Sequence, residues 1–150
     1  MSTYIVFSDI HGDRMSLQKL KKIAERADGV FFAGDGYSMV KELDSSKLYA
    51  VGGNCDFKGG AEVIAEIDGV RILLTHGHMY GVKSSLLSLT MRARELDCSV
   101  AIFGHTHEPL LSYENGILLI NPGASSGYGR KSYAFMHIEN GDIKVDMKEL

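Results

Sequence analysis

The sequence predicts an α/β domain in which two sheets pack face to face, each carrying helices on its outer face. Three observations point there. The first fifty residues run strand, helix, strand, helix, strand, the order of a parallel sheet. Short apolar runs stop repeatedly at glycine, as buried strands feeding loops do. The remaining residues are richer in hairpins, with Asp68-Gly69, Asn115-Gly116 and Asn140-Gly141 each set between apolar runs. One sheet is expected from the front half of the chain and one from the back half.

The elements follow in order. Residues 3–7 (Thr-Tyr-Ile-Val-Phe) are β-branched and aromatic, a buried strand. Asp13 is placed to cap a helix over 14–27, whose core face is Leu17, Leu20, Ile23, Ala24 and Ala27. Residues 29–33 form a second buried strand, 38–43 a short helix and 47–51 a third strand. Residues 62–67 alternate apolar with polar, and 70–75 return across Asp68-Gly69. A helix over 84–96 presents Leu86, Leu89, Ala93 and Leu96 on one face, with Leu87 and Met91 beside it. Strands at 98–103, 110–113, 117–120, 132–138 and 143–147 complete the chain. No repeat, linker or low-complexity stretch divides residues 1–150, so one domain is expected.

Composition narrows the function class. With 45% hydrophobic and 23% charged residues, the chain is an ordinary globular one that can bury a core without disulfides. A net charge of -3 and the lack of a basic tract disfavour binding to nucleic-acid duplexes. No apolar run reaches membrane-spanning length, and no signal-like segment opens the sequence. Cys55 and Cys98 make no disulfide framework, so the cytoplasm is the expected compartment.

Chemistry gathers at the strand ends. Asp9/His11, Asp35, Asn54, His76/His78 and His105/His107 each begin where a predicted strand stops, the edge at which α/β sheets bind ligands. Five of the six histidines lie in these loops; His137, in an alternating strand, is expected to be structural. In extended chain, alternate residues point the same way with α-carbons ~6.5–7 Å apart. That spacing suits His105 and His107 to two metal ions ~3.5–4 Å apart. Taken alone, the pair reads equally as two solvated loop histidines. Imidazole, carboxylate and amide oxygen together suit a borderline divalent ion: manganese, iron, cobalt, nickel or zinc. No CxxC is present for a structural zinc site. Two carboxylates offset only half the charge of two dications, and a bridging hydroxide still leaves a positive centre suited to a phosphate ester.

Asp-x-His, Gly-Asp, Gly-Asn, His-Gly-His and Gly-His-Thr-His, in that order, resemble the calcineurin-like metallophosphoesterase superfamily, across residues 5–123. The short length, Gly-Asn-Cys-Asp and Asn121-Pro122-Gly123 resemble its small YfcE-like phosphodiesterase branch. The resemblance implies a four-layer α-β-β-α sandwich and a dinuclear centre, manganese being the first expectation. Asp9, His11 and His107 would hold one ion, Asn54, His76 and His105 the other, and Asp35 would bridge them. His78 would support the ligands from behind or face the substrate, rather than bind a metal. The implied reaction is hydrolysis of a phosphate diester by a metal-bridging hydroxide. The alternatives are a phosphomonoesterase with the same metals and, from another class, a protein-interaction scaffold such as the fold's relative in a membrane-trafficking complex. Small relatives also suggest a homodimer or homotetramer.

Two departures from the family pattern stand out. Cys55 occupies a position where many relatives carry a histidine that protonates the leaving oxygen. A thiol is a poor substitute acid, so Cys55 reads either as a catalytic group or as a small spacer, with His78 a candidate for the missing help. Gly52 stands where relatives often carry arginine; Arg130 could compensate by binding substrate, or be a solvated surface residue. Asp56 reads as tying down its own loop, and Tyr80 and Tyr128 as possible pocket walls.

Overall fold

The computed structural model describes residues 1–43 and 47–150. Ten strands and three α-helices appear among them: β1 (Ser2–Phe7), α1 (Arg14–Ala24), β2 (Gly29–Phe32), α2 (Tyr37–Val40), β3 (Leu48–Ala50), β4 (Glu62–Ile67), β5 (Val70–Thr75), α3 (Leu87–Glu95), β6 (Val100–Ile102), β7 (Leu110–Glu114), β8 (Ile117–Asn121), β9 (Ser132–Glu139) and β10 (Asp142–Glu149). They form two five-stranded sheets, ordered β10-β9-β1-β2-β3 and β4-β5-β6-β8-β7.

Strand alternation divides each apolar run between two cores. From β1, Tyr4 and Val6 point between the sheets, where they meet Phe31, Ile72, Leu74, Ile102 and Ile120. Ile5 and Phe7 point outward and pack with Leu17 and Leu20 of α1 and with Val30 and Phe32. On the far side, Leu73, Ala101 and Leu119 pack beneath Leu89 and Ala93 of α3. Helix, sheet, sheet, helix is therefore the observed layering. The three hairpin turns each place both central residues at positive φ, as tight primed turns require: Asp68 and Gly69 at 45° and 84°, Asn115 and Gly116 at 51° and 82°, Asn140 and Gly141 at 49° and 85°.

One expectation is corrected. The sheets do not divide into front and back halves, because the β9–β10 hairpin returns to pair antiparallel with β1. The reason lies in β9 itself. Ala134, Met136 and Ile138 enter the core between the sheets, while Tyr133 and Phe135 pack on the α1 side. A strand apolar on both faces belongs inside a sheet, and pairing with β1 buries both. The helices are also shorter than expected. The first ends at Ala24, and the third begins at Leu87 because residues 84 and 85 turn back to bond the Gly81 carbonyl. Leu87 and Met91 are exposed.

In the first sheet β1, β2 and β3 run parallel; in the second, β5, β6 and β8 do. The loops leaving these six strands carry the residues considered next.

Candidate metal centre

The segments after β1, β2, β3, β5 and β6 converge. Asp9 and His76 are fully buried and Asp35 nearly so, whereas His11, Asn54 and His107 are open to solvent. Asp9 Oδ1 lies 3.6 Å from His11 Nε2, 3.3 Å from His107 Nε2 and 3.8 Å from His76 Nε2. Asp35 Oδ2 lies 3.6 Å from His11 Nε2 and 3.3 Å from His76 Nε2. His76 Nε2 in turn stands 2.9 Å from Asn54 Oδ1 and 3.2 Å from His105 Nδ1. All seven expected ligand residues are thus brought together. Asp9, His11 and His107 can offer one ligand atom each within a common 4.8 Å, and so can Asp9, Asp35 and His76.

Each carboxylate is held by one oxygen. Asp9 Oδ2 accepts from Ser8 Oγ at 2.7 Å and from the His105 backbone N–H at 3.1 Å. Asp35 Oδ1 accepts from the Cys55 N–H at 2.9 Å. The other oxygens face the imidazoles, and Asp9 Oδ1 is buried without a hydrogen-bond partner. A buried orphan carboxylate oxygen is costly. His76 sharpens the point. Its Nδ1 is 2.7 Å from the Ala33 carbonyl, which can only accept, so Nδ1 carries the proton. The Nε2 lone pair then faces the Asn54 amide oxygen and the Asp35 carboxylate. Acceptors facing acceptors repel unless a cation lies between them, and the mixed oxygen and nitrogen donors fit a borderline divalent metal. Burial first, and then the neighbouring His76 imidazole, push His78 and His105 below the usual histidine range; ligand imidazoles must be neutral.

The backbone is shaped to make this convergence. Asp9, His11, Asp35, His105 and His107 all adopt positive φ, between 43° and 71°. Such strain in side-chain-bearing residues clusters at functional sites. Gly53 has to be glycine: a Cβ there would sit 2.1 Å from Asp35 Oδ1.

The remaining expected residues fall in different places. Cys55 is exposed, and its Sγ can share the 4.8 Å grouping with His11 and Asp35. Desolvation, followed by Asp35, Asp56 and Asp9, raises the pKa of its thiol. His78 opens a 3-10 turn (His78–Tyr80), with its ring centroid 5.4 Å from that of His76 and 6.1 Å from that of His105. Its Nδ1 is buried and unpartnered. Arg130 is exposed. The neighbouring Lys131, not Arg130, lines the cavity beside His11 and His107. At Gly52 a Cβ would come within 2.4 Å of the Lys58 carbonyl oxygen, so an arginine could not replace it without moving the loop. Asp13 caps α1 through the Ser16 N–H, as expected. Tyr80 donates to Glu62. His137 pairs with Thr3 and Asp146 in the terminal hairpin, away from the site.

Two organising residues reach further than the sequence reading gave them. Asp56 accepts from four backbone N–H groups: those of Asp35 and Gly53 through Oδ2, and those of Gly36 and Tyr37 through Oδ1. It thus ties its own loop to the loop that carries Asp35. Asn121, fully buried, donates to the Gly104 carbonyl at 3.2 Å and to Thr106 Oγ1 at 2.9 Å, and so fixes the loop of His105 and His107. The hold of Asp56 on its own loop is expected from the sequence; its reach to the Asp35 loop, and that of Asn121 to the His105 loop, are not.

Comparison with known proteins shows which family the chain resembles. The profile of the calcineurin-like phosphoesterase superfamily domain matches residues 3–141. A Bacillus subtilis protein named probable metallophosphoesterase YsnB is 34% identical over 142 residues, covering 91% of this chain and 84% of its own. A Methanocaldococcus jannaschii protein named as a phosphodiesterase is 29% identical over 145 residues, covering 82% and 84%. The crystal structure of a conserved Streptococcus pneumoniae protein described as a predicted phosphoesterase superposes with a TM-score of 0.85 at 30% identity, over 99% of this chain and 89% of that one.

Proposed function

The chain belongs to the calcineurin-like phosphoesterase superfamily, and on that premise we propose that it is a dinuclear-metal-dependent phosphodiesterase acting on small phosphate diesters. The observation that carries the reading is the buried, unpartnered Asp9 Oδ1 set among His11, His76 and His107, with Asp35 Oδ2 3.6 Å from His11 Nε2 and 3.3 Å from His76 Nε2. Asp9, His11 and His107 would hold one ion, Asn54, His76 and His105 the other, with Asp35 between them. Manganese is the first candidate. When bound, such ions supply Lewis-acid charge to phosphoryl oxygens and lower the pKa of water toward neutrality.

The chain's own residues do the rest. Ser8, the His105 N–H and the Cys55 N–H aim the two carboxylates. The Ala33 carbonyl fixes the His76 tautomer. His78, neutral and close to both His76 and His105, is placed to hydrogen-bond a substrate oxygen. The exposed Cys55 offers a weak donor where a stronger acid would stand. Diester preference is supported by the name of the archaeal relative and by Lys131, which lies beside His107 but is already paired with Asp13. A monoester dianion would call for more positive charge.

The test is to strip the protein with chelator, restore manganese or nickel, and compare bis-p-nitrophenyl phosphate with p-nitrophenyl phosphate. Hydrolysis of the diester supports the proposal. Activity on the monoester alone overturns it in favour of a phosphatase, and neither metal uptake nor turnover would favour an interaction scaffold.

A further inference from the structure

Beside the metal centre opens a cavity of about 710 Å³, walled by His11, Asp13, His107, Ser126, Tyr128 and Lys131. Its volume is within the ~300–1,000 Å³ of small-molecule sites. Two of its walls are expected metal ligands, so a phosphate on the ions would extend an ester arm directly into it. The cavity on the other side of Thr106, lined by Val82, Lys83, Leu86, Phe103 and Pro109, has no ligand residue in its wall.

The first cavity has a defined chemistry. Lys131 Nζ lies 2.9 Å from Asp13 Oδ2, so its charge is already balanced and a second phosphate group finds no free cation there. The remaining hydrogen-bonding capacity of that pair suits neutral hydroxyl and amide groups. Tyr128 is fully exposed at the tip of Gly127-Tyr128-Gly129, and no aromatic partner covers its ring among the described residues. The loop that presents it is anchored to the site: the Ser125 N–H bonds the Ser8 carbonyl at 3.0 Å, and Ser126 Oγ donates to the Asp9 carbonyl at 2.7 Å. At its far end the Ser132 N–H bonds the Ala124 carbonyl at 2.9 Å. A flat aromatic face beside a neutral polar pair suits a heterocyclic base and its sugar.

We propose that this cavity is the subsite for a nucleoside arm of the diester substrate, with Tyr128 stacking on the base and the Asp13–Lys131 pair hydrogen-bonding the sugar. The inference rests on the phosphodiesterase reading. Its test is calorimetric titration of the manganese-loaded protein with AMP, ribose 5-phosphate and inorganic phosphate. AMP should bind about tenfold more tightly than either of the others. Tyr128→Ala should remove about tenfold from AMP affinity, within the range of base–aromatic stacking, and leave phosphate affinity unchanged. Tyr128→Phe, which keeps the ring, should retain AMP binding. Equal affinity for AMP and phosphate, or for AMP and ribose 5-phosphate, overturns the proposal, as does a Tyr128→Ala that weakens AMP and phosphate alike. A protein that hydrolyses diesters with equal AMP and phosphate affinities loses this subsite and keeps its function. One that binds AMP through Tyr128 yet turns over no diester loses the function reading and keeps the nucleotide site.

Discussion

The backbone N–H of His105 donates to Asp9 Oδ2 at 3.1 Å, across 96 residues of chain. One loop therefore supplies two imidazoles to the centre and also aims a carboxylate contributed by the opposite sheet. Asp9→Asn replaces an anionic ligand by a neutral amide. The substituted protein should lose at least one bound ion per chain by metal analysis, and at least a hundredfold in diester hydrolysis. His105→Ala and His107→Ala should each cost most of the activity. An enzyme indifferent to both would remove the ligand assignment.

Asp56 serves the same end without belonging to the ligand groups. It gathers the backbone donors of Asp35, Gly36, Tyr37 and Gly53 on one carboxylate. Asp56→Ala would leave those part-buried N–H groups unpaired, each a cost of about 1–3 kcal/mol where water cannot reach. The expected loss is about 2–4 kcal/mol in urea unfolding, with weaker metal binding because the Asp35 loop is no longer held. A stability unchanged within ~0.5 kcal/mol would show that water replaces the carboxylate there.

Much of this arrangement was legible in the sequence, for local reasons. Asp9, Asp35, Asn54, His76 and His105 could be placed because each stands where an apolar run stops, with a glycine before it at Asp35, Asn54 and His105, and residues at that edge of a buried sheet converge. The primed turns could be placed because Asp-Gly and Asn-Gly tolerate positive φ. What could not be read depends on partners chosen in three dimensions. The pairing of β9 with β1 needs the far ends of the chain to meet. Asp56 reads in sequence as tying down its own loop, and its hold on the Asp35 loop shows only once the two loops lie side by side. Arg130 and Lys131 are adjacent cations, and only the start of β9 decides which one faces the cavity.

Cys55 gives a prediction that turns on charge. Desolvation and the carboxylates of Asp35, Asp56 and Asp9 raise the thiol pKa. The thiolate, which is the reactive form, is thereby depleted at neutral pH. Alkylation by iodoacetamide in the chelated protein should have its midpoint above the ~8.5 of a free cysteine. Adding manganese should lower that midpoint, because dications offset the carboxylates. A midpoint at or below the free value in both states would place the thiol outside the centre's field. If the thiol is a deficient acid, Cys55→His should raise turnover of diesters with poor leaving groups; no gain would make Cys55 a spacer.

Glu62 links the edge of the second sheet to α3 and to the turn that begins at His78. Arg92 Nη2 approaches Glu62 Oε1 at 2.9 Å, Arg92 Nε approaches both carboxylate oxygens, and Tyr80 donates its hydroxyl to Oε2. Arg92 is the main cause holding the Glu62 carboxyl below its ordinary value. A depressed folded-state pKa favours folding wherever the carboxyl would be ionised in the unfolded chain, and that contribution fades as pH falls through the folded value. Glu62→Gln keeps the shape and removes the charge. At pH 7 the variant should be less stable in urea unfolding by about 1–2 kcal/mol, since charge-assisted hydrogen bonds exceed neutral ones. As pH falls through the depressed folded value the wild-type carboxyl protonates too, so the gap should be smaller in acid than at pH 7. A gap that is the same at both pH values would show that packing, not charge, holds Tyr80 against β4.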